Sequence, residues 1–254
     1  MLHSAWLYPV LFLTGLSAGL VDSIAGGGGL ITIPVMLGVG MPPHIVLGTN
    51  KFQGTFGSFT ATYYYSRHRI VQWREAVSGI LFTAAGAAAG AYAVQHIDSA
   101  FLGKLIPVLL VVVLVYVAAT PALGERDEHA RTTPNIFYLA AGLALGFYDG
   151  FFGPGVGSFW AVAFVLALGF NLQKATGYTK LMNFTSNIIS LAVFIAGGVV
   201  WFEAGIVMAA GQIIGSRLGA KLVIRKGVRF IKPVFLVVVF VTVCKLFYTQ
   251  FFSR

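Results

Sequence analysis

Ten apolar runs separated by short polar gaps dominate the chain and restrict the folds open to it. Of the 254 residues, 57% are hydrophobic and only 10% are charged, and the mean hydropathy is +0.84. A soluble domain needs more polar surface than this composition supplies, because its exterior must face water. We therefore predict an all-α integral membrane protein with about 8–10 transmembrane segments, some of them short or re-entrant. The runs lie at about 5–23, 29–41, 52–66, 76–96, 104–122, 135–151, 156–170, 181–199, 203–221 and 232–252.

Two of the runs, 29–41 and 156–170, are too short to cross a bilayer as simple helices. At about 1.5 Å per residue, a helix of 12 to 15 residues spans roughly 18–22 Å, against a hydrocarbon thickness of about 30 Å. Each run is expected to be a half-helix or one arm of a hairpin. The sequence leaves open whether it crosses fully or re-enters.

The chain also contains a duplicated motif, in which an aspartate is followed by glycines and, further on, by a lysine. The first copy has Asp22, Gly26, Gly27, Gly28, Gly29 and Lys51, and the second has Asp149, Gly153, Gly155 and Lys180. A polar motif repeated inside apolar sequence indicates duplicated transporter halves, each with a broken helix at membrane depth. We predict a first membrane repeat at 1–122, a cytoplasmic linker at 123–134 and a second membrane repeat at 135–254.

Parity and charge predict how the two repeats are oriented. Five runs in each repeat give an odd net number of crossings, so the second repeat enters the membrane from the opposite face, as an inverted copy. The gaps on one side carry twelve Lys and Arg residues, and those on the other side carry three. The positive-inside rule makes the basic side cytoplasmic. The expected location is the plasma (inner) membrane, with multiple passes and both termini outside.

Consecutive glycines at 26–29 point to a broken helix, although glycines in membranes also serve close helix packing, and both interpretations stay open. Such a run uncoils the helix and leaves backbone N–H groups facing a cavity. Residues 153–155 act in the same way, because Pro154 lacks a donor and stops the preceding helix. The segments that begin at Leu30 and Val156 then direct positive dipole ends at the breaks, which suits an anion.

Other glycines have the spacing of helix-packing motifs. Gly86 and Gly90 in the first repeat, like Gly211 and Gly215 in the second, are separated by three residues. This small-xxx-small spacing favours close helix contact over a role in binding a ligand.

Lys51 and Lys180 each open an apolar run in this interpretation. A lysine there either extends to the membrane interface or supplies countercharge to a bound anion, and the matched positions favour the second role. Gln53, Asn183 and Asn187 extend the polar edge at helical spacing, where they bind ligand oxygens or join neighbouring helices.

Asp22 and Asp149 are carboxylates inside apolar runs, where a charge is costly and a functional role is the default. The partners expected for them are a lysine, Ser23 or glycine N–H groups. Two interpretations remain: proton coupling, and capping of the helix at the break.

Several other classes of function are disfavoured. The net charge of +9 does not indicate nucleic acid binding, since basic residues lie in short gaps rather than on a face. The five histidines and the single cysteine are scattered, so no metal and no cofactor is expected. No nucleophile–base pair suggests an enzyme.

The motifs at 22–34, 47–54, 153–158 and 175–183 resemble those of the TauE/SafE sulfite exporter family, and the resemblance covers nearly the whole chain. It implies transport of small sulfur-containing anions such as sulfite, sulfoacetate or related organosulfonates. The anion and the direction of transport stay open.

The resulting hypothesis is a proton-coupled secondary transporter that binds a small anion between two glycine-broken hairpins and works by alternating access. Alternatives are a passive anion channel and a membrane-embedded enzyme. Expected partners are the anion and membrane lipid, and a homodimer is compatible with the sequence. Asp22 and Asp149 are assigned to proton coupling. Substrate binding is assigned to Gly26, Gly27, Gly28, Gly29, Thr49, Asn50, Lys51, Gln53, Gly153, Gly155, Tyr178, Thr179, Lys180 and Asn183.

Overall fold

The computed structural model describes residues 6–119 and 129–226, and all regular structure in this part of the chain is helical, as predicted. The last predicted apolar run, 232–252, lies outside the described residues. The helices are α1 (Leu7–Ala25), α2 (Gly29–Gly38), α3 (Pro43–Arg67), α4 (Val77–Gln95), α5 (Ser99–Ala119), α6 (Pro134–Phe151), α7 (Val156–Leu168), α8 (Leu172–Ala196) and α9 (Phe202–Lys226), with a 3₁₀ turn at Trp73–Ala76.

Both predicted helix breaks are present. Helix α1 ends where Gly26 adopts a left-handed conformation, with φ of +74°, a region that glycine enters at little cost. Helix α6 ends at Phe151, and Gly153 and Gly155 follow with φ of +96° and +77°. The helices after the breaks are short, with 10 residues in α2 and 13 in α7. The prediction of two half-helices is therefore confirmed in length.

Helices α3 and α8 begin well before the predicted runs 52–66 and 181–199. Pro43 is the first residue of α3, where its missing N–H costs no hydrogen bond. Asn171 caps α8 by accepting a hydrogen bond from the backbone N–H of Lys174 at 2.9 Å. The prediction that Lys51 and Lys180 open their segments is thus wrong, because each is the ninth residue of its helix.

The helices of the two repeats interlock rather than forming separate units. Helix α1 packs most extensively against α9, and α4 against α6, while α3 lies against both α8 and α9. Glycines allow these helices to pack closely. A Cβ atom at Gly90 would overlap the Phe147 carbonyl of α6, and one at Gly215 would overlap the Leu16 carbonyl of α1. Gly86 and Gly211 meet the same two partner helices, which confirms the packing role predicted for the small-xxx-small motifs.

The distribution of polarity is the reverse of that in a soluble protein. Lys51 and Lys180 are 1% and 0% exposed, whereas Leu81 and Tyr92 are each 64% exposed. Apolar side chains lie on the outside because lipid replaces water there. Among the described helices, four are long and apolar enough to cross a membrane: Leu7–Ala25, Leu172–Ala196, Phe202–Arg225 and α4 with its preceding turn, Trp73–Gln95.

Candidate functional site

The two helix breaks meet each other in the interior. Gly26 lies so close to Gly157 that a Cβ atom on either would overlap the other backbone, and a Cβ atom on Gly29 would lie 3.2 Å from Pro154. Ser158 joins the breaks by donating a hydrogen bond to the Ala25 carbonyl at 2.9 Å. The N-terminal ends of α2 and α7 therefore converge on one region, and each brings a positive helix dipole to it.

Two buried ion pairs cross between the repeats beside this junction. Lys51 Nζ of α3 lies 2.5 Å from Asp149 Oδ1 of α6, and Lys180 Nζ of α8 lies 3.1 Å from Asp22 Oδ2 of α1. Each lysine thus binds the aspartate of the other repeat. Within the described residues these are the two salt bridges, so every buried charge of the duplicated motif is paired with its counterpart.

The two pairs differ in exposure and in their remaining partners. The Asp149 side chain is 4% exposed and also accepts a hydrogen bond from Ser186 Oγ. The Asp22 side chain is 19% exposed, and its Oδ1 accepts from the Gly28 N–H at 3.2 Å. The Asp22 carboxylate is therefore the more open of the two.

These contacts decide several of the alternatives. The partners predicted for the two carboxylates were a lysine, Ser23 or glycine N–H groups. A lysine is confirmed for both, and a glycine N–H is confirmed for Asp22. Ser23 donates to the Leu20 carbonyl instead. The interpretation that the lysines reach the membrane interface is wrong, because both ammonium groups are enclosed. The interpretation of Asp22 as a helix cap at the break also agrees with the structure. Asp22 accepts from the N–H of Gly28, the residue immediately before α2.

A cavity of about 40 Å³ lies at the junction, large enough for a few water molecules or one small group. The predicted residues that line it are Asp22, Gly26, Gly28, Gly29, Asn50, Gln53, Asp149, Gly153, Gly155 and Asn183. Gly54, Val156, Asn187 and Gln212 complete the lining. Gln212 is the polar residue that sequence reasoning missed; the available signal was an amide inside an apolar run, between Gly211 and Gly215.

The remaining predicted residues, Gly27, Thr49, Lys51, Tyr178, Thr179 and Lys180, are not part of the cavity lining. Both lysines lie behind the aspartates that line it. Lys180 has a second acceptor, because Asn183, with its amide oriented by its neighbours, accepts from Nζ at 3.2 Å.

Thr49 and Tyr178 attach the lysine helices α3 and α8 to connecting segments of the opposite repeat: Thr49 to the residue before α9, and Tyr178 to the 3₁₀ turn at Trp73–Ala76. Thr49 Oγ1 accepts a hydrogen bond from the Trp201 N–H at 3.0 Å. Tyr178 donates its hydroxyl hydrogen to Glu75 Oε2 at 2.7 Å. Thr49 and Tyr178 stand at matching positions, each two residues before the lysine of its helix, so α3 and α8 are each attached to the other half near their N-terminal ends.

Buried charges between interlocked, broken helices are typical of proteins that move ions or polar solutes across membranes. The chain belongs to the sulfite exporter TauE/SafE family, whose model matches residues 11–246. This is a family of membrane transporters.

Relatives from distant organisms resemble almost the whole chain. A probable membrane transporter protein of Haemophilus influenzae is 44% identical over 244 residues, covering 96% of both chains. The probable membrane transporter protein YfcA of Escherichia coli K12 is 45% identical over 245 residues, covering 96% of this chain and 91% of the relative. The probable membrane transporter protein MJ0441 of Methanocaldococcus jannaschii is 25% identical over 235 residues, covering 85% and 86%. No solved structure matches the chain.

Proposed function

We propose that this protein is a proton-coupled secondary transporter of the plasma membrane, which moves sulfite, a sulfonate or a related organosulfur oxyanion by alternating access. The observation that carries the proposal is the reciprocal exchange of ion pairs, Lys51 with Asp149 and Lys180 with Asp22. The family is named for sulfite export, and its relatives are named as probable membrane transporter proteins, which supports the transport of a sulfur anion by this chain.

Charge balance links the anion to a proton. Each buried lysine is neutralised by a carboxylate, so an added anion would bring an uncompensated negative charge into a region of low dielectric constant. Protonation of Asp22 removes its charge and frees Lys180 to act as countercharge for the anion. The site then has the same net charge before and after binding, and the proton and the anion travel together.

The helix breaks supply the remaining stabilisation. Gly155 lines the cavity at the start of α7, and its backbone N–H makes no hydrogen bond with the described residues. Backbone N–H groups at helix N-termini bind anions because the donors and the helix dipole act together. The glycines allow the anion to approach these groups without a side chain in the way.

The two interlocked repeats support alternating access as the mechanism. The Asp149 pair is enclosed and the Asp22 pair is more open, which gives the two halves unequal states of the kind that an alternating mechanism exchanges. When the halves move, Asp149 becomes the open carboxylate and Asp22 the enclosed one. Each carboxylate thereby reaches one side of the membrane in turn.

Flux into proteoliposomes tests this function. Purified protein is reconstituted, and uptake of radiolabelled sulfite, sulfate and sulfonates is measured with and without an imposed pH gradient. We expect saturable flux of a sulfur anion that rises with the pH gradient. Very fast flux that does not respond to the gradient would identify a passive channel, and absence of flux for every anion would contradict transport of this class.

Membrane orientation gives a separate prediction. The buried positions of Lys51 and Lys180 remove one residue from each side of the charge count, leaving eleven basic residues against two. The bias is unchanged in direction, so the 124–133 region is expected in the cytoplasm and both termini outside. Reporter fusions after residue 128 and at the C-terminus should give opposite signals. The same signal from both sites would exclude the inverted arrangement.

A further inference from the structure

Four aromatic side chains form a continuous exposed surface where α3, α8 and the 3₁₀ turn meet. Phe59 and Tyr63 of α3 are 47% and 53% exposed, and Trp73 of the turn is 39% exposed. Phe59 stacks on Tyr63, with 6.3 Å between the ring centroids. The half-buried Phe184 of α8 lies 5.2 Å from Phe59 and 6.4 Å from Trp73, again between ring centroids. We call these four residues the aromatic patch; exposed Trp and Tyr rings of membrane proteins lie at the level of the lipid headgroups.

Two arginines lie at the edge of the aromatic patch. Arg67, the last residue of α3, donates a hydrogen bond from Nη1 to the Tyr63 hydroxyl at 3.4 Å, so its guanidinium group lies on the lipid-facing side of the helix. Trp73 Nε1 donates to Ser66 Oγ at 2.7 Å. This bond holds the turn, and with it the exposed Arg74, against the end of α3.

Arg69 adds a third exposed guanidinium group at a backbone position that favours glycine. Its φ is +58°, in the left-handed region where an L side chain is uncommon. The Arg69 N–H donates to the Ser66 carbonyl at 3.0 Å and the Ile70 N–H to the Tyr65 carbonyl at 3.1 Å, the pattern of a helix end that usually carries glycine. Glycine would adopt this conformation at a lower cost, so the arginine indicates a role for its side chain.

The positive charges of these three arginines are not neutralised by the described part of the chain. The two salt bridges of residues 6–119 and 129–226 are those of the buried lysines. Glu75, the acidic residue next to Arg74, accepts the hydroxyl hydrogen of Tyr178 instead. A guanidinium group has five N–H donors, so the edge of the aromatic patch offers both positive charge and unused donors to an anion.

We propose that an anionic phospholipid binds at this place, with its headgroup phosphate at Arg67 and Arg74 and an acyl chain along Phe59 and Tyr63. A lipid combines an anion with hydrocarbon directly below it, which is the order of the arginines and the aromatic patch. Arginine binds phosphate through paired hydrogen bonds. A headgroup with net negative charge is preferred to a zwitterionic one, in which a cationic group offsets the phosphate. The inference does not depend on which anion the protein transports.

Quenching of tryptophan fluorescence by brominated phospholipids tests the proposal with a reporter inside the patch. The chain has four tryptophans. In the reporter protein, Trp6→Phe and Trp201→Phe leave Trp73 and the fully buried Trp160. This full-length protein is reconstituted in mixed vesicles in which either phosphatidylglycerol or phosphatidylcholine carries bromine on its acyl chains. We expect phosphatidylglycerol to be favoured at Trp73 at least about fivefold, the factor for one arginine near an anionic headgroup.

Three variants of the reporter protein assign the preference to the arginines. In Arg67→Gln/Arg74→Gln the preference for phosphatidylglycerol is expected to fall towards unity. In Arg67→Lys/Arg74→Lys it should be largely kept, because both positive charges remain. Lys104→Gln/Arg131→Gln is the matched control, since it removes two exposed positive charges outside the patch, and it should keep the preference.

Each other outcome contradicts the proposal. Equal quenching by the two lipids, no quenching of Trp73 by either, or an unchanged preference in Arg67→Gln/Arg74→Gln would overturn it. An equal loss in Lys104→Gln/Arg131→Gln would assign the preference to overall charge and would overturn the site as well. Inorganic phosphate is compared with sodium chloride at the same ionic strength. If phosphate alone abolishes the preference, the arginines bind a free anion rather than a lipid.

Discussion

Replacing Lys51 with glutamine is expected to lower the free energy of unfolding by about 3–5 kcal/mol and to abolish transport. The reason is that Asp149, with a side chain only 4% exposed, would be left as a buried carboxylate without its cation. Ser186 alone cannot replace the lost charge. Equilibrium unfolding in detergent, followed by helical circular dichroism, measures the first effect, and proteoliposome flux measures the second.

A paired variant separates stability from function. In Lys51→Gln/Asp149→Asn both charges are removed, so most of the stability should return because no buried charge is unpaired. Transport should stay absent, since neither the countercharge nor the titrating group is present. Lys104→Gln is the matched control, because Lys104 is exposed on α5 and no change is expected. A stable single variant with normal flux would contradict the assigned role of the pair.

The equivalent change in the other pair should affect stability less. Asp22 is 19% exposed and keeps the Gly28 N–H as a partner, so Lys180→Gln leaves a better solvated carboxylate. Apparent affinity for the anion is nevertheless expected to weaken at least about tenfold, roughly 1.4 kcal/mol, because the countercharge is lost. Unchanged affinity in both lysine variants, at normal membrane levels, would place the anion elsewhere.

The second large effect is expected from valine at two of the four consecutive glycines. In Gly28→Val/Gly29→Val transport should be abolished while the protein still inserts in the membrane. The Cβ atom on residue 28 would lie 2.9 Å from the Asp22 Cβ, and the one on residue 29 would lie 3.2 Å from Pro154. Added methyl groups would therefore fill the approach to the N–H groups and separate the two breaks.

The same helix provides a control for this variant. A Cβ atom on Gly38, at the end of α2, would meet no neighbouring group within 4 Å, and the φ of Gly38 lies outside the left-handed region, so Gly38→Val should retain flux. Membrane levels and flux are compared for both variants and the wild type. Retained flux in Gly28→Val/Gly29→Val would show that these glycines act only as packing residues or spacers.

The sequence alone determined the class of the protein and the positions of its helix breaks. Composition requires a lipid-facing exterior, and the glycine-rich segments after Asp22 and Asp149 end their helices wherever they are placed, because the cause is local backbone chemistry. The predicted half-helices agree with α2 and α7 almost to the residue at their starts, Gly29 and Val156. Local signals of this kind can be interpreted from the sequence without knowledge of the fold.

Only the tertiary structure decided which charges meet. Lys51 and Asp149 are 98 positions apart, and Lys180 and Asp22 are 158 apart, so no local rule predicts that each lysine binds the opposite repeat. The hydropathy pattern placed the starts of the third and eighth segments too late. It treats polar residues as exposed, whereas the polar residues at the starts of α3 and α8 form the buried centre of this protein. Gln212 joins the cavity for the same reason: interlocked helices bring it there past Gly19 and Gly57.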